Sequence, residues 1–293
     1  MAEVLSKATL FDPVLVTDLV DKVNGKSSLA KLAKSVPVPF NGRKEFIFSM
    51  DNEVDIVAEN GKKGHGGISI EPVTIVPIKF EYGARVSDEF MHASDEEKLE
   101  ILKSFNNGFA KKVARGLDIA GMHGINPRTG EASAVIGDNH LDVKVTQKVT
   151  YTSATPDANI EAAIALVEGS EGEVTGVVIS PAVRTALAAM TRQSGEKLYP
   201  DFQFGGKPST LGAYAMDINS TVAVGNVDHG IVGNFEDMFK WGYSKEITLE
   251  VIPYGDPDNT GLDLKGHNQV YLRAEAYIGW GILDGSSFAR IGA

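Results

Sequence analysis

The sequence predicts an α+β fold built on two elements long enough to span the molecule. From Gln269 to Ile282 apolar and polar positions alternate without a break: Val270, Leu272, Ala274, Ala276, Ile278, Trp280 and Ile282 share one side, and Tyr271, Arg273, Glu275 and Tyr277 take the other. At about 3.3 Å per residue this strand runs roughly 45 Å, against about 50 Å across a compact ball of this chain length. Leu99, Leu102, Phe105, Phe109, Val113 and Leu117 recur at spacings of three and four between a capping Ser94 and the breaker Gly124, which predicts an amphipathic helix. Its roughly 28 residues cover about 42 Å. Two such struts, each near twice the usual length for its type, predict a flat, elongated subunit.

The other elements follow in order. Residues 1–36 hold short apolar groups (Val14, Leu15, Val16, Leu19, Val20, then Leu29 and Leu32) broken by Asn24-Gly25. They are too few for a core of their own, so this reads as an arm that lies on the chain's own body or on a neighbour. Residues 37–80 read as a β-hairpin: strand-like runs at 44–50 with 54–58 and at 68–86, separated by the glycine-rich tip Gly61-Lys62-Lys63-Gly64-His65-Gly66-Gly67. In the second run Ile68, Ile70, Val76, Ile78, Phe80, Tyr82, Ala84 and Val86 fall on even positions, which predicts one apolar side about 60 Å long. An isolated hairpin is marginal in water, so its projecting part needs another surface: its own domain or the next subunit.

Residues 81–150 carry the long helix. From 151 to 240 the texture changes to short helices alternating with short strands, a small α/β lobe. Thr155-Pro156 and Ser180-Pro181 each set a capping hydroxyl before a proline suited to the first helical position. Ile160, Ile164 and Val167 mark one helix face and Val183, Leu187 and Met190 another, with a buried strand, 174–179, between them. Residues 241–293 return through a strand at 246–252 and a turn at 253–259 to the long terminal strand.

Composition narrows the function. A 293-residue chain with 43% hydrophobic residues is ordinary for a folded protein. No run approaches the ~18 consecutive apolar residues of a membrane span, and the start lacks a secretory signal, so a cytoplasmic product is expected. Cysteine is absent, which removes disulfides, thiolate metal sites and a cysteine nucleophile. A formal charge of −11 disfavours tight phosphate-driven binding of nucleic acid.

Motifs for chemistry are missing. The glycine-rich tip lacks the order of a phosphate loop and sits inside a hairpin. Asp256, Asp258, Thr260 and Gly261 echo a calcium loop, but its twelfth position would be His267 where a bidentate Glu is needed, so a plain turn is expected. The six histidines show no metal-ligand spacing and read as surface residues. No catalytic residue, metal or cofactor is predicted.

The order of arm, glycine-tipped hairpin, long helix, α/β lobe, returning strand and very long terminal strand resembles the major capsid proteins of tailed bacteriophages, the Hong Kong 97-type capsid fold. The resemblance covers nearly the whole chain and rests on Asp55-Ile56-Val57-Ala58-Glu59-Asn60 before the tip, Tyr82 to Phe90 entering the helix, Phe204-Gly205-Gly206 in the lobe and Tyr271 to Ala276 in the last strand. It implies a non-enzymatic shell protein of the virion: a peripheral domain of helix and long strands (81–150 and 241–293), an axial domain (151–240) gathered at five-fold and six-fold axes, and an extended loop (37–80) and arm (1–36) that reach across neighbours. With the hairpin beginning near residue 37, there is no room for the N-terminal scaffolding region many relatives carry. The expected partners are thus further copies of the chain in hexamers and pentamers, a separate scaffolding protein or none, a portal, a decoration protein, and packaged dsDNA through loose contacts, with assembly in the host cytoplasm and no membrane.

Some relatives weld the shell by an isopeptide bond between a hairpin Lys and a neighbour's Asn, assisted by a Glu. By position Lys63 (or Lys62), Asn268 and Glu275 match that trio. Seven residues of extended strand put Asn268 and Glu275 about 23 Å apart and on opposite sides, so such a site would combine residues of different subunits; the alternative is that both lysines are solvated tip charges and Glu275 pairs with an Arg. Two other functions stay open at this point: an encapsulin-type nanocompartment shell of the same fold, and a soluble α+β enzyme whose site is assembled from scattered residues.

Overall fold

The computed structural model describes residues 27–50, 53–92, 95–226, 228–244 and 248–292; the apolar groups of the arm at 14–20 and the cap at Ser94 lie outside them. The elements are α1 (Ser28–Leu32), β1 (Arg43–Met50), β2 (Ile68–Ile75), β3 (Ile78–Ser87), α2 (Glu89–His92), α3 (Asp95–His123), α4 (Leu141–Lys144), β4 (Lys148–Thr150), α5 (Pro156–Gly169), β5 (Gly176–Ile179), α6 (Pro181–Ala189), β6 (Thr210–Leu211), β7 (Tyr214–Ile218), β8 (Asp228–Gly233), α7 (Phe235–Met238), β9 (Phe239–Tyr243), β10 (Thr248–Ile252), β11 (Gln269–Ile282) and β12 (Phe288–Gly292).

Both predicted struts are present. Strand β11 has 14 residues and helix α3 has 29, each ending where its pattern ends. Along β11 one edge pairs antiparallel with β3 from Gln269↔Ser87 to Ile278↔Ile78. The other takes β10, from Thr248↔Glu275 to Ile252↔Tyr271, and then β9, from Ile278↔Tyr243 to Ile282↔Phe239. The predicted side of β11 is buried from Val270 to Ile282, and Leu102, Phe109, Val113 and Leu117 of α3 are buried against the same core. Burial of each such side chain is worth about 1.5–3 kcal/mol, so these two stripes dominate the packing.

The lobe is a six-stranded sheet in the order β4-β12-β8-β5-β7-β6. Its two faces separate by parity: Val178, Ile231 and Phe288 join the core shared with α3 and β11, whereas Val177, Ile179, Val232, Ala289 and Ile291 pack under α5 and α6. Ser180 caps α6 through Val183 N at 3.4 Å. Thr155 makes no such cap on α5; its carbonyl accepts the first helical bond, from Asn159 N, and Asn159 Oδ1 takes Thr152 N.

The hairpin differs from expectation in two ways. Residues 54–58 run outside any strand, and the 68–86 run is broken at Val76-Pro77 into β2, which among the described residues pairs only with β1, and β3, which joins β11. The parity of burial changes at that break. Ile75, on the odd side, is fully buried, whereas Ile68, Ile70 and Val76 on the even side are more than half exposed. Gly279 and Gly281 of β11 explain it: with no β-carbons there, Ile75 settles onto the strand, and a Cβ at Gly281 would lie 2.8 Å from Ile75 Cγ1. Within β2, Pro72 opposite Phe46 removes one backbone N–H from the strand.

Candidate assembly interface

The hairpin leaves the body with its apolar side bare. The β1–β2 register places Phe46 opposite Pro72, Phe48 opposite Ile70 and Met50 opposite Ile68. In a strand alternate side chains share a face, so all six lie on one side of the ribbon. Phe46 (64%), Phe48 (54%), Met50 (71%), Ile68 (64%) and Ile70 (58%) are exposed. The turn beyond adds Val54 and Ile56, which are almost wholly exposed. A patch of this size on a folded chain marks a contact surface, and covering its large side chains would release about 1.5–3 kcal/mol each.

Of the predicted cross-link residues, Lys62 and Lys63 are exposed at the tip. Asn268 is in the left-handed region (φ 53°) at the entrance to β11, with its carbonyl accepting from Asp88 N. Glu275 sits on β11 with Lys79 Nζ 2.5 Å away and Arg273 Nε at 3.7 Å. The structure therefore gives Glu275 two resident cations of its own chain and does not bring the trio together within one subunit.

The calcium-like turn wraps an arginine. Arg85 donates to Asp256 Oδ1 (2.8 Å), both oxygens of Asp258, Thr260 Oγ1 (2.6 Å), the Leu262 carbonyl (2.9 Å) and Gln269 Oε1 (3.2 Å). Hydrogen bonding to Arg85 lowers the Asp258 pKa and raises that of Arg85. A guanidinium holds the loop where a metal was the other reading.

Two buried polar clusters tie α3 to α1, to the lobe and to the segment around α4. Asp118 of α3 is fully buried and accepts from Ser27 Oγ, Ser28 N (3.0 Å), Leu29 N (3.1 Å), Asn219 Nδ2 (2.9 Å) and Thr221 Oγ1 (3.1 Å). One carboxylate thus ties α1, α3 and the lobe. Burial pushes its pKa up to about 6, with the hydrogen bonds from Ser27, Ser28, Leu29 and Thr221 opposing the rise.

The second cluster corrects the surface reading of the histidines. His123 is 5% exposed, with Nδ1 2.9 Å from Asp142 Oδ2 and Nε2 2.9 Å from the Thr221 carbonyl. It closes the buried end of α3, a position that no short-range spacing reveals. Burial opposes its charge, but the Asp142 hydrogen bond and charge prevail and its pKa is raised. Arg290 of β12 forks onto Asp228 at 2.8 and 3.2 Å, donates to the Asp142 carbonyl at 2.6 Å and lies 3.2 Å from Asp142 Oδ1. Burial raises the Asp228 pKa, partly offset by Arg290; Asp142 is lowered because His123 and Arg290 outweigh its burial.

His123, Asp142 and Asp228 are close enough to hold an ion. However, both imidazole nitrogens already face oxygen acceptors and Arg290 supplies the balancing charge, so the set is closed by protein groups and does not suit a metal. Sequence reasoning missed Asp118, Asp142, Asp228 and Arg290 as partners. The available signals were a carboxylate inside the apolar run Leu117–Ala120 and an arginine inside Phe288–Ile291.

The comparisons with known proteins agree with this architecture. The phage capsid family matches residues 8–292. A solved chain from Mycobacterium phage Ogopogo superposes with a TM-score of 0.76 at 29% identity, covering 91% of this chain and 92% of that one. One from Gordonia phage Cozz gives 0.75 at 22%, covering 91% and 86%. One described as the capsid of an empty GTA particle gives 0.64 at 17%, covering 92% and 90%. No curated protein matches the sequence. A family match over almost the entire chain, on a fold that leaves an apolar ribbon exposed, identifies the chain as a member of the phage capsid family, a structural major capsid protein of the phage head and not an enzyme.

Proposed function

We propose that this capsid protein closes its shell by laying the hairpin of one subunit on the next, in rings of five and six copies that form the icosahedral head of a tailed dsDNA phage. The observation that carries the reading is the bare face of Phe46, Phe48, Met50, Ile68 and Ile70. In this reading 1–36 is an arm, 37–80 the extended loop, 81–150 and 241–293 the peripheral domain and 151–240 the axial domain. Scaffolding protein, portal, decoration protein and loosely held dsDNA are the expected partners, and assembly takes place in the host cytoplasm.

A covalent seal belongs to the same proposal. The Lys63 (or Lys62) ammonium would lose one proton to Glu275 of another subunit, and the freed amine would attack Asn268 Cγ of a third; as the C–N bond breaks, the attacking nitrogen's second proton passes to the departing nitrogen, ammonia leaves, and Glu275 releases its proton to solvent. Lys79 would have to give up its hold on Glu275 for this to happen.

Negative-stain microscopy of purified protein tests the shell. Wild type forms closed particles, and the triple variant Phe46→Ser/Phe48→Ser/Ile70→Ser stays a folded, unassembled subunit; particles from the triple variant would refute the hairpin contact. Denaturing gels test the seal: ladders that vanish with Lys62→Ala/Lys63→Ala support it, and a single monomer band from mature particles rejects it.

A further inference from the structure

Phe204 is the most exposed aromatic among the described residues, with its side chain fully in solvent. Its backbone is left-handed (φ 50°, ψ 34°) and Gly205 follows at φ 85°, a conformation unfavourable for a residue carrying a β-carbon. The turn that imposes it is anchored on both sides. Gly206 N bonds the Gln203 carbonyl at 2.9 Å, Phe202 beside it is buried in the lobe core, and Arg184 Nη1 holds the Phe202 carbonyl at 3.3 Å. A strained, well-anchored turn that presents a bare aromatic ring is a knob without a hole.

The same lobe carries a hole without a knob. A cleft of about 260 Å³ opens between α5, α6, Tyr199 and the β6–β7 turn. Ile160, Ile164 and Leu187 form its apolar floor, and Asp157 and Glu161 stand at its rim. Phe204 does not fill the cleft of its own subunit, because its ring is wholly exposed. Lys207, exposed just past the knob, carries the charge complementary to that rim.

We infer that Phe204 of one subunit enters the α5–α6 cleft of the adjacent copy in the ring, with Lys207 meeting the Asp157 and Glu161 rim. A knob and a hole on different patches of one chain make a head-to-tail contact, and such contacts close into rings when repeated by rotation. In a six-membered ring equivalent points are separated by their own distance from the axis, so two features of one lobe meet only if that lobe sits near the axis. The inference therefore rests on the shell reading and its axial placement of the lobe. A buried aromatic anchor in an apolar pocket is the usual form of an interface hot spot.

The absence of cysteine in the natural chain gives a clean test. Shells of the double variant Phe204→Cys/Leu211→Cys, oxidised mildly, should run on non-reducing gels as a ladder ending in covalent rings, while either single variant gives nothing beyond dimers. In parallel, Lys207→Glu should raise the concentration needed for assembly roughly tenfold, and adding Glu161→Lys should restore it. Intact shells whose double variant remains monomeric on the gel would overturn the contact while leaving the capsid reading standing, as would assembly that Leu211→Trp blocks and Phe204→Ala leaves unchanged. Failure of wild type to form shells at all would remove both.

Discussion

Ile75 rests directly on Gly281, its Cγ1 lying 2.8 Å from where a β-carbon would be. This seat, with Gly279 beside it, is what fixes the base of the hairpin to the long strand. Gly281→Val should push Ile75 out and cost about 1–3 kcal/mol through overpacking. Ile75→Ala should cost about 2–5 kcal/mol through the cavity left. Urea denaturation followed by tryptophan fluorescence measures both, and in hydrogen exchange Gly281→Val should loosen the amides of β1 and β2 without loosening those of α5.

Asp118 should make stability fall as pH rises from about 4 to about 6. Its native pKa of about 6 exceeds the ordinary carboxylate value near 3.9, so over that window the folded state binds more protons than the unfolded one, and stability declines as the pH climbs. The effect amounts to roughly 3 kcal/mol at most and ends above pH 6. Asp118→Asn should abolish this slope and also set an amide N–H₂ against backbone donors from α1, at about 1–3 kcal/mol for each unmet group. Unfolding curves at intervals between pH 4 and 7 would reveal either a sloping or a flat profile.

Arg290→Met should be among the most damaging single changes to the folded subunit. It strands Asp228, whose side chain is inaccessible to solvent, and breaking a buried pair in this way costs about 3–5 kcal/mol. His123 titrates in the same sense as Asp118, but in a higher pH window. Its raised pKa supplies stability that is complete below about pH 6.5 and is lost as pH rises through the higher native value. Denaturation at pH 6 and pH 9 should show that loss in wild type and not in His123→Gln.

Replacing Arg85 should release the 253–264 loop without unfolding the body. Six acceptor oxygens from five residues converge on one guanidinium, and Leu cannot bond any of them. Limited proteolysis of Arg85→Leu should cut near Tyr254 and Leu262, both exposed, where wild type resists. Adding calcium to the variant and finding the cleavage unchanged would show that the loop's acidic groups serve the arginine alone.

Periodicity made the long elements readable. β11 and α3 each bury one continuous stripe, so two- and three-to-four-residue spacings extend over enough residues to define them from end to end. Parity failed at the hairpin because the surface beneath Ile75 is made by glycines more than 200 residues further along the chain, a relationship with no local trace. The lobe was legible as alternating helices and strands, but the missing Thr155 cap was not: Ala158 N, a donor the hydroxyl would cap, goes to Asp157 Oδ1 at 2.8 Å. The polar clusters were hidden because His123, Asp142, Asp228 and Arg290 meet across separations that no spacing rule covers.

Pro72 has a further consequence for the unassembled chain. A freshly made copy carries a ribbon of phenylalanine, methionine and isoleucine with strand edges that identical ribbons could extend, the starting condition for fibrous precipitation. A missing amide in the middle of β2, next to the charge of Glu71, interrupts that edge. The ribbon can therefore be greasy enough to grip a neighbour and still refuse to stack endlessly on copies of itself.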